Sequence, residues 1–392
     1  MNCITTKSEN GTLTLCAHGR IDSSNAPAVE SEVDSACTAL AHDSVILDVE
    51  DIEYISSAGL RIVLRLRKNE PTLKVIGASS EVYEIFEMTG FTEMIPVEKG
   101  YRRLTVDGCD IIGRGAKGTV YRYNSDTIVK VYKNPDSLPD IKNERELARR
   151  AFVLGIPTAI SYDIVKVGES YGSVFELLDA KSFSQLIALY PEKLDDYVKI
   201  YAELLRQIHS TEVKPGDMPD IKITVRKWCD TVRPHLPSDE AEKLDRLVNE
   251  VPDTTNMLHC DYHTNNVMMQ GSEAIIIDMD TLSHGHPIFE LANIYITYIG
   301  FGEVDPSVVE SFIGLDYKTA VTIWKKFLPL YLCTSDSGRV SEVEEKVKLL
   351  SYVRLMRHIV RRGINTETDK KTVELCKKQI SELLNKTDTL TF

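Results

Sequence analysis

The sequence lacks closely spaced cysteines: its eight cysteines are scattered singly and form no Cys-x-x-Cys pair. Zinc centres and redox motifs use such pairs, and disulfide-stabilised domains use dense, regular cysteine patterns. The pattern therefore disfavours both and indicates reduced, mostly structural thiols. The first ten residues also lack the charged-then-apolar layout of a signal peptide. These two features predict a cytoplasmic protein.

The sequence also lacks a long apolar run. Its most apolar extended stretch, residues 288–301, is too short to cross a bilayer and contains Glu290 and Asn293. No membrane span is therefore expected.

The sequence has no excess of positive charge either: its formal net charge is -13. Nucleic-acid backbones and anionic membranes are polyanions, so neither is expected as the main partner. The first hundred residues contain 16 acidic and 8 basic side chains, a net of -8, which leaves -5 for the remainder. A chain of 392 residues exceeds one ordinary core and predicts two domains.

Residues 1–98 have the pattern of a small α/β domain. Apolar residues alternate over Thr12–Gly19, which predicts a half-buried strand, and Ala26–Ala41 is predicted as a helix with Asn25 as its N-cap. Further strands are predicted at Val45–Val49 and Leu73–Gly77, and a further helix at Ser80–Thr89. Because strands and helices alternate, a mixed sheet covered by helices is the expected architecture.

Three motifs of this region, Ile46-Leu-Asp-Val49, Ser56-Ser-Ala-Gly-Leu60 and Phe86-Glu-Met-Thr-Gly-Phe91, resemble the STAS domain of anti-sigma factor antagonists. The resemblance implies that Ser57 is phosphorylated by a partner kinase, and that an anti-sigma-factor-like or other signalling protein binds this domain. A phosphate there would face the free N–H groups at a helix N-terminus. The alternative is that Ser56 or Ser57 only caps the helix.

A short polar linker at residues 99–105 is predicted to precede a second domain at 106–392. This domain begins with a glycine-rich hairpin that contains Gly113, Gly115 and Gly118 between two strand-like segments. Glycines allow the backbone to approach a phosphate chain closely. A dinucleotide-binding fold would need a helix after the third glycine, and a Walker loop would need Gly-Lys-Ser/Thr, so neither is favoured.

Lys130 lies among apolar residues on the predicted strand Thr127–Tyr132. A buried ammonium group needs a partner because its desolvation is costly. Glu144 of the following predicted helix is preferred over Glu146, since Glu144 shares a helix face with Ala148 and Ala151. An ordinary surface role for Glu144 remains the alternative.

The segment His259-Cys-Asp-Tyr-His-Thr-Asn-Asn266, followed by an apolar run and Asp278, predicts a phosphoryl-transfer site. Asp261 would meet a substrate hydroxyl, and Asn266 and Asp278 offer the oxygen ligands that Mg²⁺ prefers. His259 and His263 are expected to hydrogen-bond within the loop. The plainer interpretation is a polar turn before a short strand.

The order of these features resembles the protein-kinase-like fold, and its details resemble the aminoglycoside phosphotransferase and choline kinase branch. The resemblance implies an α+β bilobal domain, with an N-lobe at about 106–180 and a C-lobe at about 181–392. It further implies that the hairpin covers ATP, that Lys130 holds the α- and β-phosphates, and that the hinge Glu176–Leu178 meets adenine. Cys260 stands where the family favours glycine, and Glu290 where it has aspartate.

The sequence thus predicts an ATP- and Mg²⁺-dependent phosphotransferase that acts on a hydroxyl of a small molecule and is coupled to a STAS domain. Two alternatives stay open. One is a nucleotide-binding pseudokinase that serves as a signalling scaffold. The other is a protein kinase that phosphorylates Ser57 or another STAS protein. Trp228, Tyr295, Tyr298 and Trp324 are expected to be core residues.

Overall fold

The computed structural model describes residues 3–392, which divide into two compact units. The first unit ends at Asp107 and also includes the segment Ile164–Gly172. The second unit comprises Gly108–Asp163 and Ser173–Phe392.

The first unit contains a mixed five-stranded sheet with helices packed on it, as the sequence predicts. The strand order is β1-β2-β3-β4-β5, in which β1 and β2 are antiparallel and the other neighbours are parallel. The strands are β1 (Ile4–Glu9), β2 (Thr12–Ile21), β3 (Ser44–Ile55), β4 (Lys74–Ala78) and β5 (Val97–Lys99). The helices are α1 (Ala26–Ala39), α2 (Ser57–Asn69), α3 (Ser80–Met88) and α4 (Phe91–Met94).

Two details of the first unit differ from the prediction. Strand β3 continues to Ile55, because Ile52 and Ile55 remain buried beyond the polar residues that follow Val49. Asn25 occupies the N-cap position of α1 but makes no capping bond. Its amide instead accepts a hydrogen bond from Asp22 N and donates one to Arg20 O, which closes the preceding turn.

A short pair of parallel strands completes the first unit. Strand β6 (Arg103–Leu104) lies within the stretch predicted as a linker, and it pairs with residues 166–167.

The second unit begins with a small sheet. Its strands are β7 (Asp110–Arg114), β8 (Gly118–Arg122), β9 (Thr127–Tyr132), β10 (Asp163–Val167, of which only Asp163 belongs to this unit) and β11 (Ser170–Glu176, from Ser173 onward). Within this unit the order is β11-β9-β8-β7, and helix α5 (Leu138–Val153) follows β9. The glycine hairpin, the strand that carries Lys130 and the helix that carries Glu144 thus form as the sequence predicts.

The rest of the second unit is mostly helical. Its helices are α6 (Phe183–Leu189), α7 (Leu194–Ser210), α8 (Ile221–Val232), α9 (Ser238–Glu250), α10 (Ile288–Tyr295), α11 (Pro306–Ile313), α12 (Tyr317–Tyr331), α13 (Ser337–Arg362) and α14 (Glu367–Leu384). Its short strands are β12 (Lys181–Ser182), β13 (Met257–Leu258), β14 (Val267–Gln270), β15 (Glu273–Ile276) and β16 (Ser283–His284). Strands β12, β14 and β15 form one sheet, and β13 pairs with β16.

The apolar stretch at residues 288–301 forms α10 and a π-helical turn (Ile296–Gly300) inside the core of the second unit. Trp228, Tyr295, Tyr298 and Trp324 are buried in the same core, as expected. Over residues 3–392, no helix has the length and apolarity that crossing a membrane requires.

Candidate active site

The glycine hairpin between β7 and β8 is closed at its tip by the backbone. Gly115 N donates to Gly118 O at 2.9 Å, and the ammonium group of Lys133 donates to the carbonyls of Gly115 and Ala116 at 2.8 and 3.1 Å. These bonds fix the shape of the loop from the side of β9.

The three glycines of the hairpin differ in what the fold demands of them. A Cβ atom at position 118 would lie 2.5 Å from Val131 O, so the packing of β8 on β9 requires glycine there. At positions 113 and 115 the nearest atoms would lie 3.6 and 3.8 Å away, which is ordinary contact. The fold itself therefore does not explain Gly113 and Gly115.

Lys130 connects three segments that are far apart in the chain. Its Nζ lies 2.9 Å from Glu144 Oε1 on α5 and 2.9 Å from Asp278 Oδ1 beyond β15. Glu146 instead pairs with Arg149 and Arg150 on the outer face of α5. The structure thus pairs Lys130 with the glutamate that the helix-face argument prefers.

Burial and neighbouring charges together raise the pKa values of both Lys130 and Glu144. Burial alone would lower the pKa of Lys130, but the carboxylates of Asp278 and Glu144 outweigh burial and raise it. Burial raises the pKa of Glu144 despite its pairing with Lys130. The hydroxyl of Tyr132 donates to the other oxygen of Glu144 at 2.8 Å. The lysine is therefore held as a cation by two acidic groups.

Asp280 extends this cluster, because one oxygen each from Glu144, Asp278 and Asp280 lie within 4.8 Å of one another. Burial and the charge of Asp278 raise the pKa of Asp280. Lys117, at the tip of the glycine hairpin, forms an ion pair with Asp280. Two lysines thus meet a dense group of carboxylates, which is an environment that also suits a divalent cation.

Asp261 and Asn266 lie together in the loop that follows β13. The side-chain nitrogen of Asn266 donates to Asp261 O at 3.0 Å and to Asp261 Oδ2 at 3.3 Å. Since both partners are acceptors, the amide orientation is fixed and its oxygen is left for another ligand. Asn266 O also accepts the backbone N–H of Ile277, which immediately precedes Asp278.

The two histidines of this loop behave differently. His259 Nε2 bonds the carbonyl of Ile277 at 3.1 Å, and Thr281 donates to His259 O at 2.7 Å. His259 therefore ties the loop to the segment that carries Asp278. His263 makes no comparable bond: its Nε2 lies 3.6 Å from Asp261 Oδ2, and in the described chain its buried Nδ1 has no hydrogen-bond partner.

The carboxyl group of Asp261 is ionised over the physiological range. Burial opposes ionisation, but His263, His259 and Arg354 outweigh it and lower the pKa of Asp261 to about 2. Asp261 can therefore accept a hydrogen bond from a hydroxyl group at any pH near neutrality.

Two residues of the site adopt left-handed backbone conformations, namely Cys260 with φ 66° and Asp278 with φ 64°. Glycine adopts this conformation most readily, so Cys260 stands at a position where a side chain is strained. The strained turn is held by Glu290, which is fully buried. Its two oxygens accept the backbone N–H groups of His259 and Cys260 at 2.8 and 2.7 Å.

Glu290 is in turn braced from α7. Its Oε2 lies 2.8 Å from His209 Nε2, and His209 Nδ1 lies 2.7 Å from the hydroxyl of Tyr331. A charged residue inside an apolar run is a sequence signal for such a buried network, because an unpaired charge there would be too costly. The sequence shows Glu290 both inside an apolar stretch and as a departure from a motif, but neither observation predicts the members of this network.

The predicted hinge lies at the end of β11. Leu177 N donates to Asp126 O at 2.8 Å, and Tyr162 N donates to Val174 O at 3.0 Å on the opposite edge. Because successive residues of a strand direct their polar groups to opposite sides, the backbone groups of Glu176, the last residue of β11, face away from β9.

Ser57, the predicted phosphorylation site of the first unit, is exposed and is the first residue of α2. The N-cap is Ser56, whose hydroxyl accepts the N–H of Ala58 at 3.2 Å. The capping role considered from the sequence thus falls to Ser56.

Sequence reasoning assigned no role to Asp280, Lys117, Tyr132 or Arg354. Asp280 belongs to a motif that the sequence displays, and Lys117 is, with Arg114, one of two cations that stand between hairpin glycines, so both offered a signal. Tyr132 and Arg354 lie in regular elements whose periodicity does not reveal which residues they approach.

Comparison with known proteins identifies both units. A model of the phosphotransferase enzyme family matches residues 109–318, and a STAS domain model matches residues 4–103. A Bordetella bronchiseptica protein named as an anti-sigma factor antagonist, BtrV, is 37% identical over 92 residues, which are 22% of this chain and 78% of that protein.

Solved structures with related folds were also found. A streptomycin–ATP complex of the aminoglycoside phosphotransferase APH(2")-IIa is 15% identical with a TM-score of 0.46, and the match covers 77% of this chain and 97% of that one. A choline/ethanolamine kinase family protein from Mesorhizobium loti is 13% identical with a TM-score of 0.44, covering 71% and 91%. An anti-sigma factor antagonist from Mycobacterium paratuberculosis is 19% identical with a TM-score of 0.23, covering 24% and 83%.

Proposed function

Because the chain belongs to the phosphotransferase enzyme family, with a STAS domain at residues 4–103, we propose that it transfers the γ-phosphoryl group of ATP to a hydroxyl group of a small molecule. The reaction requires groups that bind the triphosphate, oxygen ligands for Mg²⁺ and a group that accepts a hydrogen bond from the acceptor hydroxyl. The second unit contains candidates for all three.

One observation carries the proposal most strongly. Lys130 contacts Glu144 and Asp278 at 2.9 Å each, although the three residues come from a strand, a helix and a loop separated by up to 148 positions. A buried lysine between two carboxylates is expensive to maintain for stability alone. A cation held at this point suits the α- and β-phosphates of a nucleotide.

The glycine hairpin is proposed to cover those phosphates. Since the fold leaves room for a Cβ at Gly113 and Gly115, close approach of a ligand to the backbone is a reason for glycine at both. The carbonyl of Glu176, which faces away from β9, and the N–H of Leu178 are proposed to bond the adenine edge.

Asn266 and Asp278 are proposed to hold Mg²⁺. They fit a hard cation, because the amide oxygen of Asn266 is left for a ligand by the bonds of its nitrogen, and Asp278 has one oxygen besides the one that meets Lys130. The neighbouring Asp280 and Glu144 add negative charge. When bound, Mg²⁺ would neutralise charge on the phosphates.

Asp261 is proposed to orient the acceptor hydroxyl and to receive its proton. In the reaction the bond between the γ-phosphorus and the ADP oxygen breaks, and a bond from the acceptor oxygen to that phosphorus forms. The hydroxyl proton passes to Asp261 and then to solvent, and ADP leaves. The low pKa of Asp261 suits a group that accepts a hydrogen bond from the hydroxyl and receives its proton only late in the transfer.

The first unit is proposed to couple this activity to a protein partner. Its similarity to anti-sigma factor antagonists suggests an anti-sigma-factor-like protein as the partner class, with exposed Ser57 at the start of α2 as the phosphorylation site. A phosphate there would be stabilised by the helix N-terminus and would add charge to the docking surface.

The test is acceptor-dependent ADP release by the full-length protein with ATP, Mg²⁺ and a panel of hydroxyl compounds. Asp261→Asn is expected to lower the rate by about 100-fold or more, since it removes the proton acceptor. The exposed Asp230→Asn serves as a matched control and is expected to keep full activity. Nucleotide binding without ADP release in the wild type would favour the pseudokinase alternative instead.

A further inference from the structure

Helix α13 presents three arginines on one face. Arg354, Arg357 and Arg361 follow one another at spacings of three and four residues, which places them in a single row along the helix. We refer to these three residues as the arginine stripe.

The arginine stripe differs from the other cations of α13 in having no acidic partner. Arg339 pairs with Glu342, Lys348 with Glu344, and Arg362 with Asp369. Among residues 3–392, no carboxylate lies within ion-pair distance of Arg354, Arg357 or Arg361. Charge on this helix is otherwise balanced, so the imbalance is confined to one face.

At one end of the stripe, Arg354 lies close enough to the candidate catalytic residue Asp261 to feel its charge. Burial lowers the pKa of Arg354, and the negative charge of Asp261 opposes that effect. The guanidinium group of Arg354 lies 5.5 Å from the ring centre of Trp228, which confines it to this position.

A row of rings runs from the loop of Asp261 to the same helix. Ring centres are 5.0 Å apart for His263 and Phe312, 6.5 Å for Phe312 and Phe301, and 6.2 Å for Phe301 and His358. His358 lies four residues after Arg354 and three before Arg361, so it neighbours the stripe on the helix surface. The rings therefore link the loop of Asp261 to the face of α13 that carries the stripe.

Two buried nitrogen atoms, one in the loop of Asp261 and one on the stripe, have no hydrogen-bond partner in the described part of the chain. They are Nδ1 of His263, a residue only 6% exposed, and Nε of Arg357. Unsatisfied buried donors are costly, and native proteins rarely keep them without a reason. A bound oxyanion would satisfy Arg357, whose planar fork matches carboxylate and phosphate groups.

We propose that the acceptor is a hydroxyl compound that also carries an oxyanion, either a carboxylate or a phosphate, and that the arginine stripe binds this oxyanion while Asp261 meets the hydroxyl. The inference rests on the proposed phosphotransferase function and names its substrate class. Arg354 also offsets the buried charges of Glu290 and Asp261, but Arg357 and Arg361 face no such charge.

A cationic acceptor is the opposite possibility. A cavity of about 430 Å³ contains groups that suit an ammonium ligand, namely Tyr295, Tyr352 and Glu303, but the cation Lys348 also lines it. Both oxygens of Glu303, however, already accept the hydroxyl of Tyr352 at 2.8 and 3.0 Å. Arg357 and Arg361 of the stripe, by contrast, form no ion pair in the described chain, and their charge favours an anion.

The experiment compares matched acceptors with the full-length protein at saturating ATP and Mg²⁺. Glycerol, glycerate, glycerol 3-phosphate and ethanolamine share small hydroxyl skeletons and differ in charge. Glucose, gluconate, glucose 6-phosphate and glucosamine repeat the comparison on a larger skeleton. Acceptor-dependent ADP release is measured for each compound, and direct binding to the ADP-bound protein is measured by calorimetry.

Arg357→Gln and Arg361→Gln are expected to raise the KM or dissociation constant of the preferred anionic compound by about tenfold or more, since a charged hydrogen-bond partner is lost. The KM for ATP is expected to stay unchanged. Arg339→Gln on the same helix is the matched control and is expected to leave both constants unchanged. A preference for carboxylate over phosphate compounds, or the reverse, identifies which oxyanion the stripe accepts.

Turnover confined to neutral or cationic compounds would overturn the anionic acceptor while supporting the phosphotransferase. Anion binding that is equal in wild type and Arg357→Gln would also overturn it. If no compound is phosphorylated but an anion binds through Arg357, anion binding by the arginine stripe is supported and the phosphotransferase proposal fails. Absence of both turnover and anion binding would contradict the inference.

Discussion

At the scale of single residues, Lys130 does most to define the site. It makes ion pairs with Glu144 and Asp278, and Tyr132 supports Glu144 from the other side. Only 17% of the Lys130 side chain and 9% of the Glu144 side chain are exposed. Because the pair is largely shielded from water, changing one member has consequences for both stability and binding.

Glu144→Gln is expected to destabilise the second unit and to weaken nucleotide binding. Asp278 still partners Lys130, so the loss should fall near the lower end of the roughly 3–5 kcal/mol for removing one partner of a buried pair. Glu146→Gln, on the exposed face of the same helix, should cost less than about 0.5 kcal/mol. Urea unfolding and the KM for ATP measure both effects. Equal losses in the two variants would contradict the pairing.

The low pKa of Asp261 predicts a definite pH dependence. Its folded value of about 2 lies below the ordinary 3.8, so the ionised group stabilises the fold above pH 3.8. That contribution disappears as the pH falls through about 2. The difference in unfolding free energy between wild type and Asp261→Asn should therefore be constant above about pH 5 and change only in acid. A change near neutral pH would show that Asp261 titrates there.

Sequence reasoning predicted some residue contacts and missed others for identifiable reasons. The partner of Lys130 was predictable because a lysine on a buried strand requires a carboxylate, and only one glutamate of the next helix faces inward. The contact of Lys117 with Asp280 was not, since the position of a loop tip depends on hydrogen bonds such as those of Lys133.

At the scale of elements, the glycine hairpin and the loop from His259 to Asn266 shape the site. The hairpin is held by β9, and the loop is held by Glu290 from α10. Neither element depends on regular secondary structure alone, because each is fixed by side chains from a neighbouring element.

Alanine substitutions in the hairpin should separate folding from binding. Gly118→Ala places a Cβ against Val131 O and is expected to cost about 1–3 kcal/mol of stability. Gly115→Ala meets no atom closer than 3.8 Å, so its stability should change by less than about 0.5 kcal/mol. Its KM for ATP should nevertheless rise several-fold, as its Cβ would meet the phosphates. Unchanged nucleotide affinity in Gly115→Ala would argue against a phosphate-covering role.

Most elements were predictable from the sequence, but their limits were not always so. Strand β9 matches its prediction because alternation and turn residues agree at both ends. Strand β3 is longer than predicted, since burial of Ile52 and Ile55 outweighs the polar residues between them and Val49. Tertiary packing determines where β3 ends, and the local sequence pattern does not predict that position.

At the scale of the whole molecule, two units with separate apolar cores share one chain. One is a STAS domain with an exposed serine at a helix N-terminus, and the other belongs to a phosphotransferase family. The sequence motifs were sufficient to predict both families, because each family is defined by ordered motifs and not by one pattern. The proposed acceptor class was not predictable, since the spacing of the three arginines does not reveal that Arg354 lies near Asp261 or that the stripe forms no ion pair.

Phosphorylation of Ser57 is expected in protein isolated from cells under at least one growth condition. Ser56 already serves as the N-cap, so Ser57 is free for modification. Intact mass and peptide mapping should show an added phosphate in the wild type and none at this peptide in Ser57→Ala. The exposed Ser23→Ala is the matched control. Unmodified Ser57 under every condition would refute the prediction.

The destination of the γ-phosphoryl group tests the central claim most directly. Full-length protein would be incubated with Mg²⁺, ATP labelled in its γ-phosphate and the panel of charged and neutral hydroxyl compounds. The account predicts label in a small oxyanion-bearing alcohol and a loss of about 100-fold or more in Asp261→Asn. Label found only on the protein chain, or bound ATP with no transfer at all, would contradict it.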